Sequence, residues 1–145
     1  NSYSQLSRLK KINVIINTTS VGFDIWSKKE KRYYNNLFLS PLGESKNLKG
    51  VKTKNLKLFH EINHNVFFKN IVNSFEFLKK NQNIKVFDII YSPKETIILK
   101  ISKLLGNFII NGALMNLMQA VEGFKIVNRY GNKNKITQAM LNNGK

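Results

Sequence analysis

Both histidines of the chain stand in His60-Glu61-Ile62-Asn63-His64, an H-E-x-x-H pattern. On a helix the two imidazoles share a face and can reach one zinc ion, with Glu61 as a general base. A hydrolytic zinc site also needs a third protein ligand. Between His64 and residue 83 the only acidic residue is Glu76, and Phe67 and Asn70 stand where the extended metalloprotease pattern has Gly and His. The neighbouring Val66-Phe67-Phe68 predicts packing instead. No metal site is therefore expected, and a zinc hydrolase through His60, Glu61 and His64 is a lesser alternative. The chain has no cysteine, which excludes disulfides and thiolate metal sites.

A second group of residues follows short apolar runs. Ile12-Asn13-Val14-Ile15-Ile16-Asn17 leads into Thr18-Thr19-Ser20 and Gly22; Lys85-Val86-Phe87-Asp88-Ile89-Ile90-Tyr91 leads into Ser92-Pro93; Phe108-Ile109-Ile110 leads into Asn111-Gly112. Each run predicts a short buried strand. In an open parallel sheet, ligands sit outside the carboxyl ends of the strands, so these three loops are the candidate site. Asp88 has no charged partner in the pattern and is expected to bridge loops at its strand's end. Asn17-Thr18-Thr19 also reads as an N-glycosylation sequon, without a secretory signal to accompany it.

The elements that must carry these loops are legible in outline. Leu58, Ile62, Phe67, Ile71, Phe75 and Leu78 recur at helical spacing and predict one or two helices over residues 56–80 with a single apolar stripe. Ser40-Pro41-Leu42-Gly43 predicts a turn. Ser92 as N-cap, Pro93 at the first position and Glu95 in the first turn predict a helix that runs to Leu105 and stops at Gly106-Asn107. Residues 113–127 predict a long helix and residues 135–141 a short one. Strands alternating with helices imply an α/β fold built on a parallel sheet.

At 145 residues and 42% hydrophobic content the chain can bury a core. Its formal charge of +16 invites a nucleic-acid reading. That reading is weakened by composition. Lys outnumbers Arg 21 to 3, whereas base-specific readers favour the bidentate Arg fork. Lys, Asn and Ile together fill 58 positions, the excess that A/T-rich codons produce, and each third of the chain is basic. Nucleic acid is thus not expected as a partner, and a basic nucleic-acid- or anion-binding module is kept as an alternative. No apolar run approaches the roughly 20 residues of a membrane span. The expectation is no membrane partner and a cytoplasmic location.

The three loops resemble those of shikimate dehydrogenase, in its C-terminal, nucleotide-binding half. Ile16-Asn17-Thr18-Thr19-Ser20-Val21-Gly22-Phe23 is similar to that family's I-N-A-T-S-x-G-M segment, and Asp88-Ile89-Ile90-Tyr91-Ser92-Pro93-Lys94-Glu95-Thr96 to its D-x-x-Y-N-P-x-x-T segment. Gly106, Asn111-Gly112-Ala113-Leu114-Met115, Gln119-Ala120 and Phe124 are similar to its G…(N/D)-G-x-x-M-L-x-x-Q-A-x-x-x-F pattern. The likeness spans residues 12–23 and 86–128. It departs at Ser92, Leu114 and Asn116, and residues 24–83 read as a long insertion that does not align with the family's shorter connection.

The resemblance implies a Rossmann-like parallel sheet, with residues 1–145 forming the C-terminal part of a dinucleotide-binding domain. It implies NADP as cofactor and reversible hydride transfer between NADPH and 3-dehydroshikimate, giving shikimate. Tyr91 and Gln119 match substrate-binding positions; Thr19, Ile89, Gly112 and Met115 match positions lining the nicotinamide end of the cofactor. The family's catalytic Lys and Asp, its Ser-x-Ser clamp and its Gly-rich fingerprint have no match, so no catalytic residue is expected in this chain and it should be inactive alone.

Overall fold

The computed structural model describes residues 9, 11–27, 32–35, 37–43, 48, 55–128 and 132–143. Three strands form a parallel sheet: β1 (Val14–Asn17), β4 (Lys85–Asp88) and β5 (Phe108–Asn111), in the order β1-β4-β5. Between β1 and β4 in sequence lie an antiparallel hairpin, β2 (Asp24–Ser27) with β3 (Arg32–Asn35), and the helix α1 (Leu56–Lys80). α2 (Ile97–Leu104) connects β4 to β5, and α3 (Ala113–Asn128) and α4 (Lys133–Asn143) follow. The architecture is α/β with an open parallel sheet, as the alternation of strands and helices implied.

Parallel neighbours need a crossover that returns the chain to the start of the sheet, usually through a helix. α2 serves β4 and β5. α1 serves β1 and β4, because its C-terminal half joins the main core: Leu78 is fully buried with Ile84, Val86, Ile98, Leu99 and Ile101, and Ile71 and Phe77 pack against them. Within the segment read as an insertion, residues 56–80 form the helix of the β1–β4 crossover.

The apolar stripe expected on α1 is not the buried one. The residues that turn inward are Phe59, Asn63, Phe67, Asn70, Ser74 and Leu78, whereas Leu58, Ile62 and Phe75 face outward. Three of the six inward residues are polar, and hydrogen bonds explain them. Asn70 Oδ1 accepts from the Ser40 amide at 2.6 Å, and Asn70 Nδ2 donates to the Ser40 carbonyl at 3.5 Å. Ser74 Oγ donates to the Asn70 carbonyl at 2.8 Å, and Asn63 Nδ2 to the Phe59 carbonyl at 3.0 Å. A carboxamide supplies both a donor and an acceptor to a loop backbone. The expected turn is present: the Gly43 amide donates to the Ser40 carbonyl at 3.0 Å. A Cβ on Gly43 would fall within 2.4 Å of the Asn70 carboxamide carbon, so the turn lies directly on α1.

The start of α2 also differs from expectation. Residues 92–95 remain loop, and the N-cap is Thr96, extended at φ −73° and ψ 170°. Thr96 Oγ1 donates to Asp88 Oδ2 at 2.6 Å, so the helix starts where it is tied to the end of β4. Its end follows the expected signal. Gly106 takes φ +75°, the Gly106 amide donates to the Lys103 carbonyl at 3.0 Å and the Asn107 amide to that of Ser102 at 2.9 Å. This pair of bonds is the Schellman closure.

β1 and β4 are shorter than expected, β5 is one residue longer, and the sheet is buried on one side. Ile15, Val86 and Ile109 form a row toward α1 and α2. On the opposite side Val14, Ile16, Phe108 and Ile110 are all exposed.

Candidate functional site

The carboxyl ends of the three strands carry a polar row. Asn17 pairs in register with Asp88, and Asp88 with Asn111. Asn17 and Asp88 are buried. Asn17 Nδ2 donates to Asp88 Oδ1 at 3.0 Å and to the Val21 carbonyl at 3.3 Å. Asn17 Oδ1 accepts from the Thr19 amide at 3.0 Å and from Thr19 Oγ1 at 2.7 Å. Asp88 accepts in addition from the Ile90 amide at 3.0 Å and from Thr96. One carboxylate thus joins the loop after β1, the loop after β4 and the start of α2. Burial pushes its pKa up, against the opposing pull of the Thr96, Ile90 and Asn17 hydrogen bonds. Enclosed on all sides, it positions the loops after β1 and β4 and the start of α2. Asn17 with its amide engaged and buried is no acceptor for a glycan, which removes the sequon reading.

Ile89 and Gly112 lie against each other. The Ile89 amide donates to the Asn17 carbonyl at 3.1 Å, and the Gly112 amide to the Ile90 carbonyl at 3.2 Å. A Cβ on Gly112 would meet the Ile89 carbonyl oxygen at 1.8 Å. Glycine is required here because two backbones cross without room for a side chain. Asn111 holds the same corner, with its Nδ2 on the Lys94 carbonyl at 3.0 Å and its Oδ1 accepting from the Ala113 amide at 3.2 Å. Thr19, Ile89 and Gly112 are therefore grouped at one edge, next to the first turn of α3, which carries the half-buried Met115.

Tyr91 and Gln119 are not grouped in this way. Tyr91, half-exposed, lines an open cleft of about 720 Å³ between α3 and α4 with Ala113, Asn116, Leu117, Ala120 and Phe124. At about 100° per residue, Gln119 points about 120° away from those cleft residues and shares a side of α3 with Met115. It is exposed. The cleft is mainly apolar, and Tyr91 and Asn116 supply its polar side chains. No spacing argument on the sequence singled it out, because Ile136, Ala139 and Met140 of α4 close one side of it.

The H-E-x-x-H residues lie on α1 as expected. His60 packs edge-on against Phe38, with ring centroids 4.2 Å apart, and against Phe67 at 5.5 Å. His64 and Glu61 are exposed and Asn63 is buried. Among the described residues no three His, Cys, Asp or Glu side chains gather to hold a metal ion. No described helix is long and apolar enough to cross a membrane.

Comparison with protein-family models, with curated proteins and with solved structures gives no match to this chain.

Proposed function

We propose that the chain is the C-terminal, Rossmann-like part of an NADP-dependent shikimate dehydrogenase. The observation that carries the reading is the convergence of the three family-like loops. Segments around residues 17, 88 and 112 meet at the carboxyl edge of one parallel sheet, tied by Asn17, Asp88 and the Ile89–Gly112 crossing. That edge is where open α/β sheets bind ligands.

The residues present fit the nicotinamide end of a dinucleotide. Thr19 brings a hydroxyl, Ile89 and Met115 bring half-buried apolar surface, and Gly112 adds no side chain to the edge. When bound, the cofactor supplies the hydride chemistry. The Asn17–Asp88–Thr96 network keeps the lining loops in fixed relation, and rigid support of this kind is what holds reacting atoms in line. Gln119, on the side of α3 that Met115 shares, offers a donor and an acceptor to a ring hydroxyl. Tyr91, on the cleft side of that helix, stands outside this group. The open apolar side of the sheet supports the same reading, because parallel sheets are covered on both faces.

The deciding experiment is an assay of the full-length protein for shikimate-dependent reduction of NADP, followed at 340 nm. Activity that falls in Gln119→Ala through a raised KM is the expected result. A folded full-length protein with no such reduction overturns the proposal.

A further inference from the structure

β5 ends on Asn111-Gly112, one of two Asn-Gly pairs in the chain; Asn143-Gly144 is the other. Asparagine is thermolabile. Asn-Gly is its most reactive context, because glycine has no Cβ to hinder the backbone nitrogen that attacks the carboxamide. In the folded protein the groups of that reaction are all engaged elsewhere. The Gly112 amide donates to the Ile90 carbonyl at 3.2 Å. Asn111 Nδ2 donates to the Lys94 carbonyl at 3.0 Å, and Asn111 Oδ1 accepts from the Ala113 amide at 3.2 Å. The carboxamide is thus held at both ends. Gly112 is buried, and its Cα abuts the Ile89 carbonyl so closely that no Cβ fits between them.

We propose that Asn111-Gly112 is a latent deamidation site, gated by the crossing of Gly112 over the end of β4. For the reaction to start, the Gly112 nitrogen must leave Ile90, and the Asn111 carboxamide must turn free of Lys94 and Ala113. Once the corner opens, the Gly112 nitrogen gives its proton to water and bonds to Asn111 Cγ. The Cγ–Nδ2 bond breaks, ammonia leaves, and a five-membered succinimide closes over the two residues. Water then opens the ring. Addition at Cγ restores the ordinary main chain with a carboxylate side chain at position 111. Addition at the backbone carbonyl carbon leaves an isoaspartyl bond, in which the main chain runs through the former side chain. Water is the only co-reactant, and nothing is oxidised or reduced.

Either product undoes the corner. Both replace the Nδ2 donor by a carboxylate oxygen, so the Lys94 carbonyl loses its partner. The isoaspartyl bond also adds a methylene to the main chain between β5 and α3. Two backbones that cross without room for a side chain leave no slack for that length, and Gly112 is pushed off Ile89 and Ile90. The change is irreversible, so each opening carries a chance of permanent loss. When opening and closing are fast, the rate is the intrinsic rate times the fraction open, and it reports the local stability of this corner. The proposal does not depend on the dehydrogenase reading, since it needs only the geometry of the corner.

The test is incubation of the full-length protein at mildly alkaline pH, folded and in concentrated urea. Lys125 and Lys135 lie between the two Asn-Gly pairs, so trypsin places them in separate peptides, and mass spectrometry scores the change from amide to acid at each. Asn107 and Asn116 share a peptide with Asn111 but precede Phe108 and Leu117, whose side chains hinder the attack. In urea, Asn111 and Asn143 should convert at similar rates. In the folded protein, Asn111 is expected to convert at least about 10-fold more slowly than in urea, which corresponds to about 1.4 kcal/mol or more of opening. The isoaspartyl form, separated by chromatography, should melt below the natural protein. Asn111→Asp, which keeps the ordinary main chain and the bond from Ala113, should melt between the two. Conversion as fast in the folded protein as in urea overturns the gating. An Asn111 that stays intact in urea while Asn143 converts overturns the site. An isoaspartyl form that melts no lower than Asn111→Asp overturns the claim that the added chain length breaks the corner.

Discussion

Asp88 sits in a pocket of donors, and its chemistry follows from the contest between burial and hydrogen bonding. Burial wins, so the folded protein holds the Asp88 proton more tightly than the ordinary value of 3.8. A folded pKa above the unfolded one adds stability at low pH, and that stability is lost as pH rises through the folded value. The melting temperature of the natural protein minus that of Asp88→Asn is therefore expected to grow as pH falls from 7 toward 4. A difference independent of pH, measured by calorimetry, would contradict the assignment. Two glycines allow a sharper contrast. Gly106→Ala meets no atom within 4 Å, so its cost is the left-handed φ of +75° alone, about 1 kcal/mol. Gly112→Ala drives a methyl group into the Ile89 carbonyl and must move backbone, at a cost of at least about 1–3 kcal/mol. Urea titrations of the two variants test the order. Gly106 was legible as a helix stop. The backbone crossing that makes Gly112 necessary depends on Ile89, which lies 23 residues away in sequence.

At the scale of the element, α1 shows how far periodicity reaches. Helical spacing predicted one or two helices over residues 56–80, and a single helix is there. The face was misread because apolar residues occur on both sides, so a stripe drawn from hydrophobicity mixed inward Phe67 and Leu78 with outward Leu58, Ile62 and Phe75. What turns the helix is the pair of bonds from Asn70 to the Ser40 backbone, and polar residues in a core leave no hydrophobic signal. Asn70→Leu is expected to cost about 1–3 kcal/mol by leaving the buried Ser40 amide unpaired. Phe68→Ser, on the outer face, should leave the monomer's stability within about 0.5 kcal/mol. Chemical denaturation compares the two. α2 gives the complementary lesson. Pro93 and Ser92 carried the local starting signals, but the helix begins after Thr96, whose hydroxyl Asp88 holds.

For the whole molecule, the core is small and asymmetric. It lies between one face of the β1-β4-β5 sheet and the helices α1 and α2. Leu99 is fully buried in it, and Leu99→Ala is expected to cost about 2–5 kcal/mol in the midpoint of cooperative unfolding. The other face exposes Val14, Ile16, Phe108 and Ile110, which are among the residues that made the strands read as buried runs. Runs without alternation are what two-sided burial requires, so these strands carry the composition of a sheet covered on both faces.

The order of the three sheet strands and the helices around them, the parallel character of the sheet, the stop at Gly106 and the three loops worth attention were present in the sequence, whereas the β2–β3 hairpin was not read from it. Local propensity and periodicity act within a few residues and leave their mark there. The joining of Asn17 to Asp88, the seating of the Ser40 turn on Asn70, the crossing of Gly112 over Ile89 and the separation of Tyr91 from Gln119 around α3 were decided by the tertiary structure. Each pairs groups distant in the chain, or sets how a helix is rotated about its axis. Buried hydrogen bonds and backbone contact, rather than apolar spacing, set those choices.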